Sequence, residues 1–511
     1  MGDERTKKKA YAGGGTGLMD SSVLMEIAQC IASVQDMISF LSAFPVAALD
    51  KTLQSFLTLL SGPGSESAWP RLVVSNHLGP LAKAAMPVYR TVDVEVVDEL
   101  VNFATFRLPW YVRVHASLHH DRPFPLLWAP NVHCLELHET TNVLHASETV
   151  ELLHCCKHLR RLTCTVVAPH AEAKLASIVT AVAKHDIHSV DLRLGEATRI
   201  ENAEPFSICL QSPTLTSVSL ANIAGADRAM QKLAHALMQS RQIQHLCVSE
   251  SPDLCRAIVA RGTGHFSALK HLEILGHELD AGALAGFPDA LRGTQVAAVT
   301  VHCSGDVAPL ICAFATMPCL TSFDLYDCAF SRLPRMTIAC TALRNVRLCS
   351  LGLRDRDVAV LLRWFDSCLD LEELSLRGNL ISDAGVAVIA DILPIWLCRR
   401  LRFVDLGDNC IGNSGAMSIA ARLATSHHCH SVIVDLHDVL RFAPLQCCVG
   451  LLPLVATCFN VTMRVSDSEL EQARPLLSAF AVQLKLNWSI SSCGGDGVPC
   501  HVFASQTSKN S

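Results

Sequence analysis

The densest group of metal-ligand side chains in the sequence is His427, His428, Cys429 and His430. Zinc sites usually draw on two spaced ligand pairs, and no second pair accompanies this one. It is therefore expected to be a set of solvated histidines in the link before a strand at Val432. His138-Glu139 opens like a zinc-protease motif but continues Thr140-Thr141-Asn142, without the second histidine. The glycines from Gly13 to Gly17 neither follow a strand nor open a helix, which makes them a poor phosphate cradle. There is no P-loop and no G-x-S-x-G, and the Ser, His and Asp residues are too scattered to form a triad. The reading is a protein without catalytic residues, resident metal or cofactor.

Composition narrows the classes further. The 511 residues are 50% apolar and carry 42 basic against 48 acidic side chains, a net charge of −6. Such a chain can bury a core, and it lacks the basic excess of a general nucleic-acid binder. Its 23 cysteines include no C-x-x-C pair and lie in apolar stretches (Cys209, Cys312, Cys319, Cys398), where a thiol acts as a small hydrophobe. With Met1 to Thr16 lacking the apolar core of a secretory leader, a reducing compartment, cytosol or nucleus, is expected. The uncharged stretch Phe442–Met463 contains Pro444, Gln446, Pro453 and Asn460, and reads as a packed helix rather than a membrane span. Gly2 to Thr6 fits a myristoylation pattern followed by Lys7, Lys8 and Lys9. Asp3 and Glu4 argue instead for a plain solvated tail.

Self-similarity is the main signal. LEELSLRGNLISDAGVAVIADIL from Leu371 is followed by LRFVDLGDNCIGNSGAMSIAARL from Leu401, sharing Leu-x-x-(Leu/Val)-x-Leu-x-x-Asn. The same pattern starts at Val132, Leu159, Ile187, Leu215, Ile243, Leu269, Val296, Leu320, Leu343 and Ser431, at intervals of 23 to 30 residues. Positions 1, 4 and 6 are apolar at every site except Ser431. This resembles the leucine-rich repeat family, of the long ribonuclease-inhibitor-like kind. The resemblance implies an α/β solenoid: a horseshoe with a parallel sheet on its concave face and helices on its convex face. No such unit buries its apolar face alone, so stacked units share one core. Asn379, Asn409 and Cys328 occupy the position after the strand where an asparagine ladder would run, while Thr140, Val167, Gly195, His277 and Leu351 depart from it. Val386, Ile389, Ala390 and Leu393 form the buried stripe of one returning helix, capped by Ser382 or Asp383. Gly415 to Leu423 repeats that scheme.

Ahead of the array, Leu24, Ile27, Ala28 and Ile31 mark one amphipathic helix. Asp36 is placed to cap a second carrying Ile38, Leu41 and Phe44, and Leu53–Leu60 reads as a third. Three short helices before such an array, followed by AWPRL at Ala68–Leu72, resemble an F-box. The resemblance implies docking of a cullin-RING ligase adaptor subunit through Leu24, Ile27, Ile31, Ile38 and Leu41. The family's Leu-Pro opening is absent, and a helical cap over the open end of the solenoid is the alternative. Val92–Val97 and Trp110–Val114 read as strands of degenerate first repeats. The expected organisation is a disordered tail at 1–20, the helical module at 21–75 and degenerate repeats at 76–131. The array follows at 132–465, then a C-terminal cap and tail at 466–511, with Leu484–Ile490 as a closing strand.

A partner would meet the residues between the inward apolar ones. In the last repeats these include Asp405, Asp408, Asp435 and Asp438, with Asp405 expected to stack on Asp435 and Asp408 on Asp438. Such a block repels itself, and it either receives a basic protein segment, with salt-sensitive binding, or simply keeps the exposed sheet soluble. Tyr326 with Asp324 and Asp327 extends it, and Arg344, Arg347 and Arg377 form a contrasting basic group. His133, His138, His188, His245, His271 and His302 fall on outward strand positions, as ordinary surface histidines or a source of pH dependence. The function expected is protein binding on the concave sheet, as a substrate receptor of a ubiquitin ligase or as a scaffold or regulator with no ligase link.

Overall fold

In the computed structural model, the residues described are 21–62, 69–74, 80–94, 106–119, 124–139, 146–167, 172–195, 199–260, 266–276, 284, 286–291, 293–314, 317–330, 342–426, 430–436, 444–458, 460–465, 473–492 and 499–505. Gly2–Thr6, the Gly13–Gly17 run, His427, His428, Cys429, His437 and Asp438 fall outside them. The chain packs as two compact units: residues 1–168 with 184–187, and residues 169–183 with 188–511.

In the first unit, three helices (Ser21–Ala28, Val34–Ser42 and Lys51–Leu60) precede a run of parallel strands. These are Leu72–Val74, Thr91–Val94, Arg113–His119, Val132–Glu139 and Arg161–Val166, each paired with the next. The second helix is capped by Ser33, whose Oγ accepts the Asp36 amide at 3.3 Å; Asp36 sits in the first turn instead of at the cap. Asp50 caps the third through the Leu53 amide at 2.8 Å. Phe56, Trp69 and Tyr89 meet at centroid distances of 5.3–5.8 Å and fasten this helix to the first strands. The strand expected at Trp110–Val114 begins at Arg113; Trp110 and Tyr111 form the turn before it. Tyr111 Oη donates to the Pro87 carbonyl at 2.9 Å, which holds the turn out of the ladder.

In the second unit, parallel strands recur at Ser189–Leu194, Ser217–Ala221, His245–Ser249, His271–Gly276, Ala298–Cys303, Ser322–Tyr326, Asn345–Cys349, Glu373–Ser375, Phe403–Asp405, Val432–Asp435 and Val461–Val465. Each pairs with its successor. Helices return between most of them, the longest being Asp383–Arg399. This is an α/β solenoid, its sheet open and its helices packed on one side. All thirty-five apolar residues at positions 1, 4 and 6 of the twelve repeats are buried, across both units, and Ser431 is exposed. Phe442–Met463 resolves into the helix Pro444–Thr457, with Leu451, Leu452 and Val455 buried, and the strand Val461–Val465. Among the described residues no helix is long and apolar enough to cross a membrane.

The closing element differs from expectation. Asn487–Ser492 is a strand, but it does not meet the last repeat. Pro499–Ala504 lies between them, antiparallel to both Val461–Val465 and Asn487–Ser492. The hairpin reverses strand direction, so the parallel run ends there.

Candidate functional site

The strands have one buried face, packed on the helices, and one open face. Residues at equivalent positions stack in columns because neighbouring parallel strands lie about 4.8 Å apart. Toward the C-terminal end of the second unit, one column of the open face reads Asp324, Arg347, Ser375, Asp405, Asp435 and Arg464, each registered on the next. Asp405 thus lies beside Asp435, as the spacing predicts. Asp408 sits at φ 54° just after its strand, while Asp438 lies outside the described residues.

The carboxylates are not left to repel one another. Arg377 Nε donates to Asp408 Oδ2 at 2.8 Å, and Arg464 Nη1 lies 3.8 Å from Asp435 Oδ2. Ser375 Oγ donates to Asp405 Oδ2 at 2.9 Å, and the Gly407 amide donates to Asp405 Oδ1 at 3.0 Å. Arg347 reaches Glu373 at 3.0 Å and Asp324 at 3.8 Å. The arginines expected as a separate basic group are therefore paired with carboxylates, and the face is a mixed-charge lattice rather than an acidic block. Burial raises the Asp324 carboxyl above its ordinary value although Arg347 pulls the other way. Burial also raises the Tyr326 hydroxyl, with Asp324 adding to it, against a hydrogen bond to Arg347. Arg347 stays firmly cationic: burial works against its charge, and Tyr326, Glu373 and Asp324 outweigh it.

The histidines divide among several tasks. His245 and His271 stack on adjacent strands at 4.0 Å between centroids, and His302 Nε2 lies 3.1 Å from Asp327 Oδ2. His138 lies 3.6 Å from Glu136. His188 precedes its strand and gives its carbonyl to the Thr216 and Ser217 amides. Of the cluster from His427 to His430, only His430 is described, and its Nε2 bonds the Leu401 carbonyl at 2.8 Å.

The turns that hold this face are tied from repeat to repeat. Asn379 Oδ1 accepts the Leu351 and Leu353 amides at 3.0 and 3.1 Å, and its Nδ2 donates to the Leu348 and Leu376 carbonyls at 2.7 and 2.8 Å. Asn409 bonds Ile381, Leu376 and Leu406 in the same manner. Cys328 takes the place in an earlier repeat, its thiol 3.1 Å from the Tyr326 carbonyl and 3.6 Å from that of Val301. Ser251 also serves there: its hydroxyl donates to the Ser249 carbonyl at 2.6 Å and accepts the Ile223 amide at 2.7 Å. Sequence reading missed it, although Ser251 stands at the ninth position of its repeat.

Residues 367–390 and 398–420 match the family model described as Leucine Rich repeat. These stretches are leucine-rich repeats. They take in parts of the helices Asp383–Arg399 and Asn413–Ala424 and contain Asn379 and Asn409, the two asparagines of the ladder. A crystal structure of the Rad7 and Elc1 complex in yeast is similar over 81% of this chain and 89% of that one, at 10% identity and a TM-score of 0.38. No curated protein matches the chain significantly in sequence.

The helical residues singled out for an adaptor are placed unevenly. Leu24 and Leu41 are buried at 1% and 0% exposure, against the first unit's own core. Ile27 and Ile38 are half-buried, as is Ile31, which lies in the link after the first helix because that helix ends at Ala28. Gln29 Nε2 donates to the Val88 carbonyl at 2.9 Å and Trp69 Nε1 to that of Ile31 at 2.8 Å, which fastens the helices to the first repeats.

Proposed function

We propose that the chain is a protein-recognition module, without catalysis, that binds a partner on the open face of its leucine-rich repeat sheet between Asp324 and Arg464. One observation carries this reading: the lattice of Asp324, Arg347, Glu373, Asp405, Arg377, Asp408, Asp435 and Arg464 on the sheet face opposite the helices, where Asp435 is buried at 7% exposure and the others are half-buried. A face kept merely soluble needs charge but no register. Here acidic and basic side chains share one registered set of strands, with Asp405 and Asp435 side by side and arginines to either side, a pattern that suits a partner of mixed charge and fixes its alignment. The described cysteines, all free thiols, support a reducing compartment, cytosol or nucleus.

The N-terminal helices serve first as a cap. Leu24 and Leu41 are spent on the first unit's core, which a solenoid end requires. A second reading, docking of a cullin-RING adaptor subunit by residues 21–75, draws support from Ile27, Ile31 and Ile38, which are only half-covered, and from Val46, which is 68% exposed.

The test compares partners captured by the full chain with those captured by D405N/D435N and R347E. The expected result is a partner whose affinity falls roughly tenfold in these variants, as for central charged contacts, and weakens with salt. A partner set indifferent to all three substitutions contradicts the reading. Cullin and adaptor subunits that are captured by the wild type and lost from I27D/I31D support the second reading.

A further inference from the structure

The first unit carries a groove of about 990 Å³ that runs past the beginnings of its strands. Met25 and Glu26 of the first helix, with Gln29 in the turn after it, form one wall, and Trp110 and Tyr111 stand in the other. Arg90 and Arg113, each at the start of a strand, lie along it, with His133 and His158 beyond. Trp110 is 90% exposed, the most exposed of the large apolar side chains described. Trp128, Trp364 and Trp396 are all at 2% or less. An indole presents a large apolar surface, and leaving it in water within a concave site marks a contact awaiting its partner.

The neighbours of Trp110 are fixed in place. The Tyr111 ring meets the Trp110 ring edge-on at 6.0 Å, and its hydroxyl is anchored on the Pro87 carbonyl. Arg90 Nε donates to Gln29 Oε1 at 2.9 Å, which aims the guanidinium without neutralising it. Neither Arg90 nor Arg113 has a carboxylate partner among the described residues, in contrast to Arg347, Arg377 and Arg464 of the second unit. Glu26 is the one carboxylate among the described residues of the lining. His133 donates from Nδ1 to the Asn131 carbonyl at 2.8 Å and stacks on His158 at 5.9 Å. Burial keeps the His133 pKa below the ordinary value, so that ring adds polarity rather than charge at neutral pH. In a chain of net charge −6, this groove is locally cationic.

We propose that the groove docks an extended acidic segment of a partner protein, its carboxylates paired with Arg90 and Arg113 and an apolar or proline side chain seated on Trp110. Two spaced guanidinium groups beside one indole match carboxylates flanking an apolar residue. A nucleic-acid strand would call for a longer basic stripe, and here Glu26, Asp93 and Glu136 interrupt it. The site is separate from the open-face lattice of the second unit and does not depend on it.

The experiment selects a displayed library of short random peptides on the full chain and measures affinities of the synthesised winners by fluorescence anisotropy. The expected winners combine Asp or Glu with an aromatic, leucine or proline residue. Their affinity falls roughly tenfold or more in W110A and in R90E/R113E, and stays unchanged in D405N/D435N. W110A removes a solvent-exposed ring, so it folds, and circular dichroism verifies this for each variant. Absence of acidic winners, or winners that bind W110A and R90E/R113E as tightly as wild type, overturns the proposal. So does a deoxythymidine oligonucleotide that binds more tightly than any acidic peptide and loses affinity in the same variants.

Discussion

At the residue scale, the side chains that matter most are those that satisfy backbone groups across repeats. Asn379 bonds two amides and two carbonyls of neighbouring turns, all buried, and removing it takes away the side-chain partner of the Leu351 and Leu353 amides and of the Leu348 carbonyl, while the Leu376 carbonyl keeps Asn409. Each orphaned buried group costs about 1–3 kcal/mol, so N379A is expected to lose about 2–5 kcal/mol in urea unfolding. Asp355 acts across the next boundary: it accepts the Ser382 amide at 2.7 Å and the Ser382 hydroxyl at 2.6 Å. Burial opposes its ionisation, yet these bonds and one from the Gly385 amide hold its carboxyl below the ordinary value. A lowered folded-state pKa means stability present above the ordinary carboxylate range and lost as pH falls through it. D355A should cost about 1 kcal/mol at pH 7, as for a lost cap, with the difference from wild type closing in acid. The sequence made Asn379 and Asn409 legible because they recur at the ninth position. Ser251 was hidden because a hydroxyl does the amide's work there, and Asp355 because its acceptor role belongs to the following repeat.

At the element scale, the strands were readable almost to the residue, since a period of two with one face buried leaves little freedom of register. The helices bend that rule at their starts. Ser382 caps its own helix through the Ala384 amide at 3.3 Å. Asp383 instead bonds the Gly412 and Gly415 amides of the next helix, the latter at 3.0 Å. This link demands a bare Cα at Gly415, where a Cβ would stand 2.6 Å from Asp383 Oδ1 and 2.8 Å from Ile411 Cγ2. G415A is therefore expected to lower stability by about 1–3 kcal/mol, as for overpacking, while S414A on the exposed side stays within about 0.5 kcal/mol. Thermal unfolding of both variants checks it. The strand expected at Trp110 and the simple closing strand at Leu484–Ile490 were misplaced for the same reason. Terminal elements pack against dissimilar neighbours, so the repeat template no longer constrains them.

At the scale of the whole molecule, the recurring pattern identified the architecture, and it did so because each repeat must solve the same burial problem. The partner surface was only half legible. Column membership follows from register, so Asp405 beside Asp435 could be read directly. The pairing of Asp405, Asp408 and Asp435 with Ser375, Arg377 and Arg464 could not, because it depends on side chains reaching between repeats some 30 residues apart. The central claim is that the mixed-charge partner is recognised on the open sheet of the second unit and not on that unit's helices. Its most direct test places a photo-crosslinking amino acid singly at Tyr326 or Phe403 on the open face, and at Leu369 or Ile395, exposed at 59% and 52% away from it. Crosslinked adducts of one captured partner from the Tyr326 and Phe403 positions alone are the predicted result; adducts from the Leu369 or Ile395 positions, with none from the sheet, would contradict it.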